Sequence, residues 1–122
     1  MAEQVILIVD VGGENPEMIK EDVLALGVKA EVCPHNLMTE EDVLAYGDVK
    51  GFIFHGGTAK MEGKFRIVAY PIFQEMIDQQ RIPSYSVDYA GFEGVDLYGW
   101  PEDEEERKWR IENFLKTRCN VL

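Results

Sequence analysis

Val5-Ile6-Leu7-Ile8-Val9-Asp10-Val11-Gly12-Gly13, running straight into Glu14-Asn15-Pro16, decides the fold of this chain. Five consecutive apolar residues, most of them β-branched, predict a strand buried on both faces, because a half-solvated strand would alternate. Asp10 ends the apolar run, and Gly12-Gly13 let the backbone turn without a Cβ clash. Asn15 supplies an N-cap oxygen, Pro16 suits the first helical position, and Glu17 lies where the helix dipole favours an anion. A central parallel strand therefore runs through a glycine turn into a helix. In open α/β sheets, ligand sites gather at that edge.

Outward from this stretch, Ile19, Val23 and Leu26 recur at helical spacing, and Gly27 closes the helix. Lys29 to Cys33 predicts a short second strand near a sheet edge, followed by a Pro34-His35-Asn36 loop. Thr39 and Asp42 have capping-box spacing at the head of a second helix, with Val43, Leu44 and Tyr46 expected inward and Gly47 at its end. Val49 to Phe54 predicts a third buried strand that stops at the turn His55-Gly56-Gly57-Thr58. Residues 58–70 carry no clear period and suggest a lid-like loop. Pro71 to Gln80 predicts a helix with Ile72, Phe73, Met76 and Ile77 inward. A fourth strand follows over Ile82 to Asp88, and a short fifth over Val95 to Tyr98.

Gly99-Trp100-Pro101 turns the chain into a last helix whose early turns hold Asp103, Glu104, Glu105 and Glu106 and whose later turns hold Lys108, Arg110, Lys116 and Arg118. That polarity complements the macrodipole, so the acidic run reads as helix design rather than a binding tail. Ile111, Phe114 and Leu115 form the buried stripe. Trp109 falls on the opposite side of the wheel. Alternating strands and crossover helices give an α/β, three-layer sandwich with a parallel, flavodoxin-like sheet in the order 2-1-3-4 and helices on both faces.

The chain has 122 residues, enough for one domain spanning 1–122 but not for two. Its net charge of −11 argues against nucleic acid and against anionic membranes as partners. No basic, apolar leader stands at Met1-Ala2-Glu3-Gln4, and no apolar run is long enough to span a bilayer. Cys33 and Cys119 lack metal-ligand spacing, so free thiols in a reducing cytoplasm are expected, with no metal site and no cofactor implied.

Three stretches together resemble a known family: Val5 to Gly13 with the helix after it, Pro34-His35-Asn36, and Lys50-Gly51-Phe52-Ile53-Phe54-His55-Gly56-Gly57. They look like the first half of a class I glutamine amidotransferase domain, with the likeness strongest to the glutaminase part of guanylate synthetase. The resemblance covers about residues 5 to 92. It implies an oxyanion hole at the Gly56-Gly57 turn and a nucleophilic cysteine on a Gly-x-Cys-x-Gly elbow after the fourth strand. Here that stretch is Ser86-Val87-Asp88-Tyr89-Ala90, with both elbow glycines replaced and Asp88 in the cysteine's place. The family's His-x-Glu pair has no counterpart, and the chain reads as a truncated relative. Amide hydrolysis by covalent catalysis needs a thiolate, a base and an anion hole. Asp88 is a poor nucleophile, so no glutaminase activity and no catalytic residue are expected.

Asp10, His55 and Asp88 all lie at strand ends on one crest, beside the glycines Gly12, Gly13, Gly56 and Gly57. They read either as a small polar pocket for Mg²⁺ or an amine, or as caps on the turns that follow. Two carboxylates and one histidine make a thin metal site, which favours capping. The paired glycines serve either anion binding through free N–H groups or tight turns alone. Tyr85, Tyr89 and Phe92 are expected around the crest as an apolar lining. A receiver domain shares the Ile6 to Asp10 pattern, but it needs an aspartate where this chain has His55.

Two functions therefore stand as expectations. One is a catalytically degenerate amidotransferase-like module acting by protein interaction or as a homodimer, with Trp109 at the interface. The other is a small-molecule-binding domain or enzyme using the crest at Asp10, His55 and Asp88. Trp109 reads equally as ordinary packing over Trp100.

Overall fold

A five-stranded, wholly parallel sheet in the order β2-β1-β3-β4-β5 forms the middle layer of the computed structural model. The structure describes residues 3–11, 16–56, 70–80, 82–87, 96–98 and 104–121. In chain order the elements are β1 (Gln4–Val11), α1 (Pro16–Ala25), β2 (Ala30–Pro34), α2 (Glu40–Leu44), β3 (Asp48–Gly56), α3 (Pro71–Gln80), β4 (Ser84–Val87), β5 (Asp96–Tyr98) and α4 (Glu104–Thr117). The expected order 2-1-3-4 is retained, and β5 adds a strand beyond β4. The lid-like loop expected over 58–70 lies outside the described residues, except for Tyr70.

β1 is central because its side chains are buried on both faces, and alternate residues feed two separate cores. Val5, Leu7, Val9 and Val11 join Val43 of α2 and Ile72, Phe73 and Met76 of α3 on one face. Ile6 and Ile8 join Ile19 and Val23 of α1 and Ile111, Phe114 and Leu115 of α4 on the other. The first core centres on Phe52, Phe54 and Phe73, with edge-to-face contacts at 5.5 and 5.8 Å between ring centroids. Such pairs add about 0.5–1.5 kcal/mol each beyond simple burial.

β3 departs from simple alternation. Val5 pairs with Val49 but Ile6 with Gly51, so Lys50 is an extra residue in a bulge. The bulge reverses the phase of the strand, and Val49 and Phe52 reach the same core although three residues apart. Gly51 is required there by packing: a Cβ on it would meet Cys119 Sγ at 2.6 Å and Ile6 Cδ1 at 3.2 Å.

The helices obey their local signals. Pro16 opens α1, and Gly27 follows it with φ +84°, its N–H donating to Leu24 O at 3.0 Å. Thr39 and Asp42 form the expected capping box on α2, Asp42 N–H donating to Thr39 Oγ1 at 3.2 Å and Thr39 N–H to Asp42 Oδ2 at 3.1 Å. Leu44, expected inward, is exposed: in a helix of five residues only Val43 faces the sheet, and Leu37 and Tyr46 fill in beside it. β4 begins at Ser84 rather than Ile82, since Pro83 has no N–H for the ladder; its carbonyl accepts from Phe52 N–H at 3.0 Å. Pro34, expected in a loop, ends the edge strand β2 in register with Asp10. Among the described residues, no helix is long and apolar enough to cross a membrane.

Candidate functional site

One continuous row crosses the C-terminal ends of the strands: Pro34 of β2, Asp10 of β1, His55 of β3, Val87 of β4 and Tyr98 of β5 are successive register partners. Parallel register partners project to the same face, so Asp10 and His55 emerge together on the face that α1 and α4 cover, above Ile8 and Ile53. His55 is buried and Asp10 half-buried. His55 does not terminate its strand, as the glycines after it suggested. β3 continues to Gly56, because His55 still has a partner on each side. Gly56 stands beside Val11 as the last residue of β3. Gly12, Gly13, Gly57 and Asp88 lie outside the described residues, although Asp88 follows Val87 directly in sequence.

Tyr85, expected to line the crest, lies in the core instead. It is buried under α4 with its ring 5.5 Å from that of Phe114, at a tilt of 34°. The register sets this, since Tyr85 pairs with Ile53, two rows below the crest. Tyr89 and Phe92 lie outside the described residues. His35 packs edge-on against Tyr70 at 6.4 Å, and Tyr70 N–H donates to His35 O at 2.9 Å, tying the loop after β2 to the start of α3. Nothing in the sequence signalled that contact.

Neither thiol is poised for chemistry. Cys33 and Cys119 are free and buried. Burial, and then the charge of Asp10, push the Cys33 thiol up to about 12. Burial pushes Cys119 up to about 12, with Arg118 opposing weakly. A nucleophilic cysteine is ionised near neutral pH by a base or a helix N-terminus, and these two are held protonated. Among the described residues, no three of His, Cys, Asp and Glu converge to hold a metal ion.

A concavity among the described residues lies along α4. This groove of about 380 Å³ is lined by Glu106, Trp109, Arg110, Asn113, Thr117 and Arg118, with the buried Tyr85 and Phe114 also lining it. Trp109 is 64% exposed, on the outward side of α4 as its position on the helical wheel required. Trp100, its expected packing neighbour, lies outside the described residues.

No family model matches the chain. Two curated proteins do. The chain is similar to glutamine-hydrolysing GMP synthases. A protein named GMP synthase 2 (glutamine-hydrolysing) of Bacteroides thetaiotaomicron is 22% identical over 135 aligned positions, covering 100% of this chain and 31% of that protein. The glutamine-hydrolysing GMP synthase of Alkaliphilus metalliredigens is 31% identical over 91 positions, covering 75% of this chain and 17% of its own length. The chain therefore spans less than a third of either relative. These similarities and the sheet order agree with an amidotransferase-like α/β domain.

Sequence reasoning missed two features near these sites. Asp22 of α1 and Arg107 of α4 form a buried ion pair, and Cys119 sits over Gly51. An aspartate amid the apolar face of α1 was a weak signal for the first. The glycine inside an apolar strand was a signal for the second, because it marks close approach.

Proposed function

We propose that this chain is a catalytically silent, cytoplasmic glutamine amidotransferase-like module that acts through protein contact. The observation that carries the reading is Asp88, which stands in Ser86-Val87-Asp88-Tyr89-Ala90 where the resembling family has its cysteine nucleophile. A carboxylate there is a weak nucleophile toward an amide and places negative charge beside a hole meant for an oxyanion. Cys33 and Cys119 offer no substitute, as both are buried and protonated at neutral pH. Neither His35 nor His55 is followed two residues on by a glutamate. Two buried, unbridged thiols fit a reducing compartment. The test is glutamate release from glutamine, with and without ammonia acceptors, by the purified chain. Release above background that Asp88→Ala abolishes would sink the reading. Asp88→Cys in this chain is expected to remain inactive, because neither of its two histidines stands in a His-x-Glu pair that could activate the thiol.

The pairing of Asp10 with His55 favours a second reading, a small-molecule site at the crest completed by Gly12, Gly13, Gly56, Gly57 and Asp88. A carboxylate and an imidazole emerging together, with paired glycines next in sequence to each strand end, suit a small zwitterion or amine. NMR shifts at Asp10 and His55 on titration with glutamine, glutamate or ammonium test it. Shifts absent at millimolar ligand, in a folded sample, count against a crest ligand.

A further inference from the structure

The outer face of α4 carries opposite charges at its two ends with a tryptophan between them. Glu105, Trp109, Glu112 and Lys116 are spaced 4, 3 and 4 residues apart, which aligns them in one stripe on a helix, and all four are exposed. The stripe is acidic at its start, aromatic near its middle and basic at its end. Turning a second copy by 180° about an axis through the middle of the stripe sets Glu105 opposite the partner's Lys116, and Lys116 opposite the partner's Glu105. The same rotation brings Trp109 opposite the partner's Glu112 and next to its Asn113, beside the groove that Trp109, Arg110, Asn113, Tyr85 and Phe114 line. A protruding indole and an aromatic-floored groove on one face form the self-complementary arrangement that a two-fold interface needs.

We propose that a second copy of this chain docks antiparallel on α4, each Trp109 entering the partner's groove against the guanidinium of the partner's Arg110. This rests on the reading of the chain as an interaction module and names the partner. Charge selects that partner. The chain carries −11 overall, so two copies repel except where local charges alternate in sign. α4 and its end are such a place: Lys108, Arg110, Lys116 and Arg118 are four of the chain's 12 basic residues, on the same helix as Glu104, Glu105, Glu106 and Glu112, while Arg107 is held inward by Asp22. Tryptophan and arginine are also the residues most enriched among those that dominate binding energy, and a cation over an indole is attracted to its face.

The experiment is sedimentation equilibrium of the intact chain from low to high micromolar concentration at physiological ionic strength. A dimer is expected, and Trp109→Ala should raise its dissociation constant by about thirtyfold or more while circular dichroism and the melting temperature of the monomer, measured at concentrations where both proteins are dissociated, hold. Glu105→Lys and Lys116→Glu should each dissociate it alone, since each sets like charges face to face twice. Mixing the two variants should restore a mixed dimer, in which both facing pairs are again of opposite sign. A wild-type monomer throughout, a dimer indifferent to Trp109→Ala, or a mixture that associates no better than its components would overturn the proposal. Glutamate release measured on the same samples separates the two ideas. Turnover defeats the silent-module reading whatever the mass, and a turnover-free monomer defeats only the two-fold on α4.

Discussion

Arg107 of α4 holds Asp22 of α1 with its Nε 2.7 Å from Oδ2 and a longer contact of 3.4 Å from the guanidinium to Oδ1, both side chains being buried. The hydrogen bond to Asp22 raises the Arg107 pKa further above its ordinary range, so the guanidinium stays charged wherever the fold survives. The residues are 85 positions apart, and their pairing joins the last helix to the first over one sheet face.

Removing Arg107 leaves the Asp22 carboxylate buried without its cation, so Arg107→Ala should destabilise by about 3–5 kcal/mol, and Asp22→Ala should cost less, because Glu104 still lies 3.8 Å from the Arg107 guanidinium. Replacing both with apolar residues of similar volume should cost far less, because no orphan charge remains. Urea unfolding of the two single variants and the Asp22→Leu, Arg107→Met double variant reads this. Equal destabilisation in all three would mean that the pair does not act as a unit.

The close approach of Cys119 to Gly51 predicts a coupled pair of substitutions. Gly51→Ala drives a methyl into the sulfur and should destabilise by about 1–3 kcal/mol. Cys119→Ala removes that sulfur and should recover much of the loss in the double variant. Thermal melts of the four-member cycle measure the coupling. An additive cycle would show that the C-terminal residues give way freely instead.

The thiols set an alkaline limit on stability. Burial raises the pKa of Cys33 and of Cys119 in the folded chain to about 12 from an ordinary value of 9.0, so the folded state keeps protons that the unfolded state loses. Stability from this source is flat below pH 9, and it falls as pH climbs from about 9 toward 12. Cys33→Ala with Cys119→Ala should flatten that fall in denaturant midpoints measured across the range. At neutral pH a thiol reagent should label neither residue in the native chain and both in denaturant. Cys119, slightly the more exposed and near the chain's end, should react first as denaturant rises.

The capping box of α2 offers a local test. Thr39→Ala should cost about 1 kcal/mol by freeing the Asp42 N–H, whereas Thr39→Ser should be close to neutral. Hydrogen exchange at Asp42 and Val43 would report the loss directly. Unchanged protection there would mean that Val43, held in the core, anchors the helix without its cap.

What the sequence determined alone was local in origin. Five buried residues in a row made β1 central, Thr39 with Asp42 opened α2, and Pro71 opened α3. Helical periodicity put Ile111, Phe114 and Leu115 inward and Trp109 outward on α4. Each of these follows from side chains within a few residues of one another, where propensity, capping and period act. The tertiary structure alone decided the rest. It shifted the phase of β3 at Lys50, drew Tyr85 beneath Phe114 and joined Asp22 to Arg107. These relationships link residues far apart in the chain, and their energy comes from burial and register that no short stretch contains. Lys50 shows the limit most plainly: its neighbours fit an uninterrupted strand, and only the pairing of Ile6 with Gly51 leaves it unpaired.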